Sequence, residues 1–181
     1  MDLFEVIEKR RSIRSYKPTP IPNEHLKKIL EAARLAPSGK NLQPWRFIIV
    51  RNPERKRMLA EAAMNQMFIA EADVVIVALS DPTIYSSTGT KRRIPYLQDP
   101  MIAIEHMILA ATALGYGTCW IGAFNEDKVK QIVNAPEELA VIALLPIGVP
   151  NENPPPRPRK SFEEIFFSEV YGKPLSLLNG E

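Results

Sequence analysis

A chain of 181 residues is sized for one domain, and 45% hydrophobic against 24% charged residues is the balance of an ordinary soluble protein. Its net charge of +2 sums 23 basic and 21 acidic side chains, which is too even for a nucleic-acid binder with a dominant basic face. The single cysteine, Cys119, excludes an internal disulfide and fits a reducing, cytoplasmic setting. No apolar run reaches the ~18 residues of a membrane span.

The N-terminus, Met1-Asp2-Leu3-Phe4-Glu5, does not read as a signal peptide. Leu3, Val6 and Ile7 share a helical face, so a first helix is expected from 2 to about 11. Arg10-Arg11-Ser12-Ile13-Arg14 follows at once. If the helix runs on, Arg10 and Arg14 stand one turn apart, where like charges repel unless an anion lies between them. Prolines at 18, 20 and 22 keep Tyr16 to Pro22 extended. Asn23 caps a second helix through Leu35, with Leu26, Ile29, Leu30 and Ala33 as its apolar stripe. Pro37 to Trp45 is a loop, and Arg46 to Arg51 holds a short strand. Pro53 opens a third helix to about Met64, with a break near Asn65.

The unbroken apolar run in Ala72 to Ser80 suits a central strand covered on both faces. Asp81 to Gln98 is polar and irregular, the length of a functional cover. Asp99 to Leu114 is a helix apolar nearly all round, to be buried in part by a partner subunit. Gly115 ends it, and Gly117 to Gly122 reads as a strand. Asn125 or Glu126 opens a helix through Val133, and Glu138 to Val149 is a second apolar strand. Asn151 to Pro158 is extended, and a short helix follows around Glu163 to Phe167. The tail carries Phe162, Phe166, Phe167, Val170 and Tyr171, too many apolar groups for a free end. Helices outnumber strands without strict alternation. The expected fold is α+β, a central mixed sheet flanked by helices in a single domain. No glycine-rich turn follows the first strand, so neither a dinucleotide-binding nor a Walker phosphate loop is present.

Most catalytic classes lack their residues. His25 and His106 have no metal-ligand spacing, and there is no Gly-x-Ser-x-Gly elbow. Cys119, between Thr118 and Trp120, reads as inert packing. Trp45 and Trp120 read as core, and Glu71 and Asp73 as solvated residues at a strand start. A chain with no acid, base, nucleophile or metal in view borrows its chemistry from a cofactor. The arginine cluster supplies a grip for phosphate.

Two motifs name the cofactor class by resemblance. Arg10, Arg11, Ser12 and Arg14 fit an Arg-x-Ser-x-Arg pattern after a first helix, and Pro37, Ser38, Asn41, Gln43, Pro44 and Trp45 fit Pro-Ser-x-x-Asn-x-Gln-Pro-Trp. In this order they resemble the nitroreductase family of FMN oxidoreductases. Gly115 to Gly122 is similar to the family strand beside the flavin ring, and Pro158 to Ile165 to its Arg-Lys-x-x-x-Glu-Ile ending. The resemblance covers nearly the whole chain.

It implies an interlocked homodimer with an FMN site at each subunit interface and a C-terminal extension, about 160–181, docked on the partner. It implies FMN as cofactor, NADH or NADPH as donor, a small-molecule acceptor, and no metal. Arg10, Arg11, Ser12, Arg14, Arg159 and Lys160 would serve the phosphate and one ring edge. Pro37, Ser38, Gly39, Asn41 and Gln43 would reach the other subunit's flavin, and Asn65 the pyrimidine edge. Ile121 and Gly122 would end the strand beside the ring, with a backbone N–H of Gly122 or Ala123 at flavin N5. The implied activity is ping-pong electron transfer from NAD(P)H to a nitroaromatic, a quinone or another conjugated electrophile. Alternatives within the resemblance are dehalogenation, flavin fragmentation and heterocycle oxidation, and outside catalysis a flavin-binding protein without turnover.

Overall fold

The computed structural model describes residues 1–84 and 95–175. Most of the expected cover segment, and the last residues of the tail, lie outside the described residues.

The apolar run forms β3 (Val74–Ser80), buried at every position. It pairs antiparallel with β2 (Trp45–Val50) on one side and β5 (Ala140–Pro150) on the other. Ile147 of β5 pairs with Val74 on one edge and with Thr118 of β4 (Gly117–Thr118) on the opposite edge. Farther along that edge, β1 (Tyr16–Lys17) meets Pro150 and Val149. These ladders are all antiparallel, and among the described residues the sheet is mixed only through one parallel bridge, Ser12 to Thr118.

Alternate residues of a strand face opposite ways, so β3 feeds two cores. Val74, Ile76 and Ala78 pack with α2 (Asn23–Arg34) and α5 (Pro95–Ala113). Val75, Val77 and Leu79 pack with α3 (Pro53–Ala62), α4 (Phe68–Glu71) and α6 (Glu126–Val133). The short α1 (Leu3–Lys9) and α7 (Phe162–Ile165) complete the described chain. Among the described residues no helix is long and apolar enough to cross a membrane.

Several expectations are corrected. The first helix stops at Lys9, and Arg10 already has φ −55° and ψ 129°. The reason lies across the sheet edge, where Ile13 N–H donates to the Thr118 carbonyl at 2.9 Å and draws the chain out straight. Arg10 and Arg14 therefore do not stack on one helix face. The expected strand from Gly117 to Gly122 is reduced to two residues plus one bridge from Ile121 to Leu144. That leaves Trp120 36% exposed, not in the core, whereas Trp45 is buried. The long helix begins at Pro95, a residue suited to a first turn, not at Asp99.

Asp73 and Glu71 are not merely solvated. Asp73 accepts from Ile21 N–H at 3.0 Å and from Arg51 Nη2 at 3.1 Å, and Glu71 accepts from Tyr16 N–H at 3.2 Å. The proline-broken segment from Tyr16 to Pro22 makes few ladder bonds, so these carboxylates take its N–H groups.

Tyr16 itself is buried, and its hydroxyl donates to the Ile13 carbonyl at 2.8 Å. Burial pushes the phenol far above its ordinary range. A folded value above the unfolded one stabilises the protein below about pH 10, and this is lost as pH rises further. Tyr16→Phe should cost about 1–2 kcal/mol at neutral pH, because it orphans a buried carbonyl. It should also flatten the alkaline fall in stability, which urea unfolding at about pH 7 and pH 10.5 would measure. An equally steep alkaline fall in the variant would count against this role.

Candidate active site

A cavity of about 550 Å³ opens between two segments distant in sequence. One wall is Ile7, Glu8, Arg10, Arg11, Ser12 and Arg14; the other is Pro154 to Arg157 with Arg159. Arg11 Nη1 donates to the Glu8 carbonyl at 2.5 Å and to the Arg10 carbonyl at 2.8 Å. Arg14 Nη1 reaches the Ser12 carbonyl at 3.5 Å. Among the described residues, no ion pair engages any of the five arginines on this cavity. Guanidinium groups gathered without carboxylate partners make a site for an anion that takes forked hydrogen bonds. Nearby on α5, burial raises the Glu105 carboxyl and the Arg10 charge opposes the rise. Cys119 is buried behind Ser12 and Arg14; burial pushes its thiol up, as an inert packing role requires.

The loop after α2 does not line this cavity in its own chain. It is held in an unusual shape. Lys40, Asn41 and Gln43 have φ of 50°, 56° and 49°, the left-handed region that side chains other than glycine seldom enter. Ser38 Oγ accepts from Gln43 N–H at 2.9 Å, and Gln43 Nε2 donates to the Asn41 carbonyl at 3.1 Å and to Asn41 Oδ1 at 3.2 Å. From α5, buried Asp99 accepts from Gly39 N–H at 3.0 Å. Such strain persists only where the surroundings over-determine it, and it concentrates at functional sites.

The other expected site residues are scattered. Asn65, also left-handed at φ 57°, borders a second hollow of about 590 Å³ between α3 and α6 with Lys128 and Gln131. Ile121 is buried, while Gly122 and Ala123 are exposed just beyond it. Lys160 does not line the arginine cavity, but Arg157 does. Arg157 and Arg159 both line the cavity with the prolines before them, and Lys160 does not. Sequence reasoning missed Arg157; the signal was the two-residue spacing of Arg157 and Arg159 within the proline run.

The model of the nitroreductase family matches residues 7–91 and 65–149. The chain belongs to the nitroreductase family. An NADH dehydrogenase of Thermus thermophilus is 33% identical over 186 residues, covering 87% of this chain and 91% of that one. The crystal structure of a nitroreductase family protein from Clostridium novyi NT is 37% identical, with a TM-score of 0.79 over 96% of this chain and 97% of its own. The NADPH:FMN oxidoreductase from Vibrio harveyi, solved with NAD+, has a TM-score of 0.85 at 26% identity, covering 94% of this chain and 78% of that one. The nitroreductase match ends at residue 149, so the wall that carries Arg157 and Arg159 lies beyond it.

Proposed function

We propose that this nitroreductase-family oxidoreductase is FMN-dependent and passes electrons from NADH or NADPH to a nitroaromatic, a quinone or another conjugated electrophile. The observation that carries the proposal is a cavity lined by five arginines that, among the described residues, form no ion pair. An FMN phosphate carries about −1.5 to −2 charges at neutral pH and three strong acceptor oxygens, which fits these donors. Arg10, Arg11, Arg14, Arg157 and Arg159 would hold it, and the Ser12 hydroxyl can donate beside them. FMN held there would supply the two-electron chemistry between the nicotinamide and the acceptor. The protein's part in this reading is to grip, orient and shield the cofactor. Donor and acceptor using one face in turn gives ping-pong kinetics.

The working unit in this reading is a homodimer. Phe4 is 81% exposed and Tyr171 91% exposed, and Ile7, Met101, Phe162 and Phe166 are exposed as well. A second copy covering these apolar groups would bring the strained Ser38–Gln43 loop of each chain toward the cavity of the other.

The test is the visible spectrum of the purified protein, followed by NADH and NADPH added separately without oxygen. A yellow protein that bleaches, and a dimer by light scattering at micromolar concentration, is the expected result. Flavin that neither nicotinamide bleaches would move the reading to other flavin chemistry or to a carrier. A colourless protein that takes up no FMN would overturn it, and a monomer would overturn the shared site.

A further inference from the structure

The two walls of the arginine cavity carry like charge and should repel each other across it. What keeps the second wall in place is therefore a physical question. Its prolines, Pro154 to Pro156, have no N–H to donate. Among the described residues, 153–160 form no hydrogen bond with the Arg10–Arg14 wall. The fastenings lie at the root of the segment. Asn151 N–H donates to the Ser15 carbonyl at 2.9 Å, and Asn151 Nδ2 to Ser15 Oγ at 3.3 Å. Beyond them, Glu152 Oε1 accepts from the backbone N–H of Arg14, a residue 138 positions earlier. Glu152 is thus the last anchor before the prolines, and it grips the opposite wall itself.

A proline run is semi-rigid, so the position of its root governs the position of its tip. We propose that Glu152 is a positioning residue that latches this strap to Arg14 and holds Arg157 and Arg159 over the cavity. This inference rests on the proposed FMN function, because the phosphate is the anion the latch serves.

The experiment compares the dissociation constants of FMN and riboflavin, which differ by the phosphate alone, for the full-length protein and three variants. The wild type should bind FMN far more tightly than riboflavin. Glu152→Ala should lower that preference by about tenfold and leave riboflavin binding unchanged. Glu152→Gln keeps an oxygen that can accept from Arg14 N–H, so it should hold the preference within about threefold of wild type. Arg157→Ala leaves the latch intact and should show the same selective loss as Glu152→Ala. A wild type that does not distinguish FMN from riboflavin would remove the FMN reading itself. A wild type that does, with Glu152→Ala or Arg157→Ala unchanged, would overturn the latch alone. Equal loss of both ligands in Glu152→Ala would mark a merely structural role and overturn it too, as would failure of Glu152→Gln to restore the preference.

Discussion

Replacing Arg10 and Arg14 together by alanine should weaken FMN binding by at least about 100-fold. A hydrogen bond to a charged group is worth about 1.5–3 kcal/mol, so losing two removes roughly 3 kcal/mol or more. The same double variant should leave the flavin-free protein as stable as before. No ion pair is lost, and two like charges facing a crowded cavity are removed. This split between binding and stability separates a ligand site from a structural cluster. Arginine-to-lysine changes at both positions should recover only part of the affinity, because an ammonium lacks the planar fork. Added salt should weaken FMN binding to the wild type more than to the double-alanine protein. Isothermal titration and thermal unfolding of the flavin-free form decide the matter. Unchanged FMN affinity would show that the arginines face something else.

Gly117→Ala should damage both the fold and the site. A Cβ at Gly117 would lie 2.7 Å from Ile13 Cγ1 and 2.9 Å from Ile13 Cβ and Cγ2. These are not the far ends of a flexible chain, so the backbone of one segment has to move. Overpacking of this kind costs about 1–3 kcal/mol, or roughly 4–8 °C in Tm for about 2 kcal/mol in a domain of this size. Ile13 is buried, stands between Ser12 and Arg14, and donates its N–H to Thr118 beside Gly117. Displacing it therefore shifts two lining residues of the cavity, and FMN binding should fall along with Tm. Ile13→Ala in the Gly117→Ala background should recover part of the loss, giving a cost below the sum of the two single changes. Additive costs would mean that the two residues do not meet as described.

What the sequence made legible was whatever depends on neighbours along the chain. The alternation of Val74, Ile76 and Ala78 against Val75, Val77 and Leu79 needs only an apolar run and two covered faces. The arginine cluster was legible as an anion grip because its members sit within five residues. What stayed hidden depends on partners far away. The first helix stops at Lys9 because Thr118 claims Ile13. Asp73 is engaged because the prolines before Asn23 leave N–H groups that a distant carboxylate collects. Trp120 is exposed because its strand is cut to two residues. Arg157 lines a cavity whose other wall is about 145 residues earlier, and the inconspicuous Glu152 beside it bonds to the Arg14 N–H.

The backbone of the Ser38–Gln43 loop limits how this protein can be diversified. Lys40, Asn41 and Gln43 occupy left-handed positions that β-branched side chains pay heavily to enter, so valine, isoleucine and threonine at these three sites would strain the loop. Leu42, at φ −78° and ψ −20°, has ordinary helical backbone geometry, so a substitution there carries no such strain. Varying this loop would therefore mean changing Leu42 first and limiting the other three to their present residues, glycine, asparagine or aspartate.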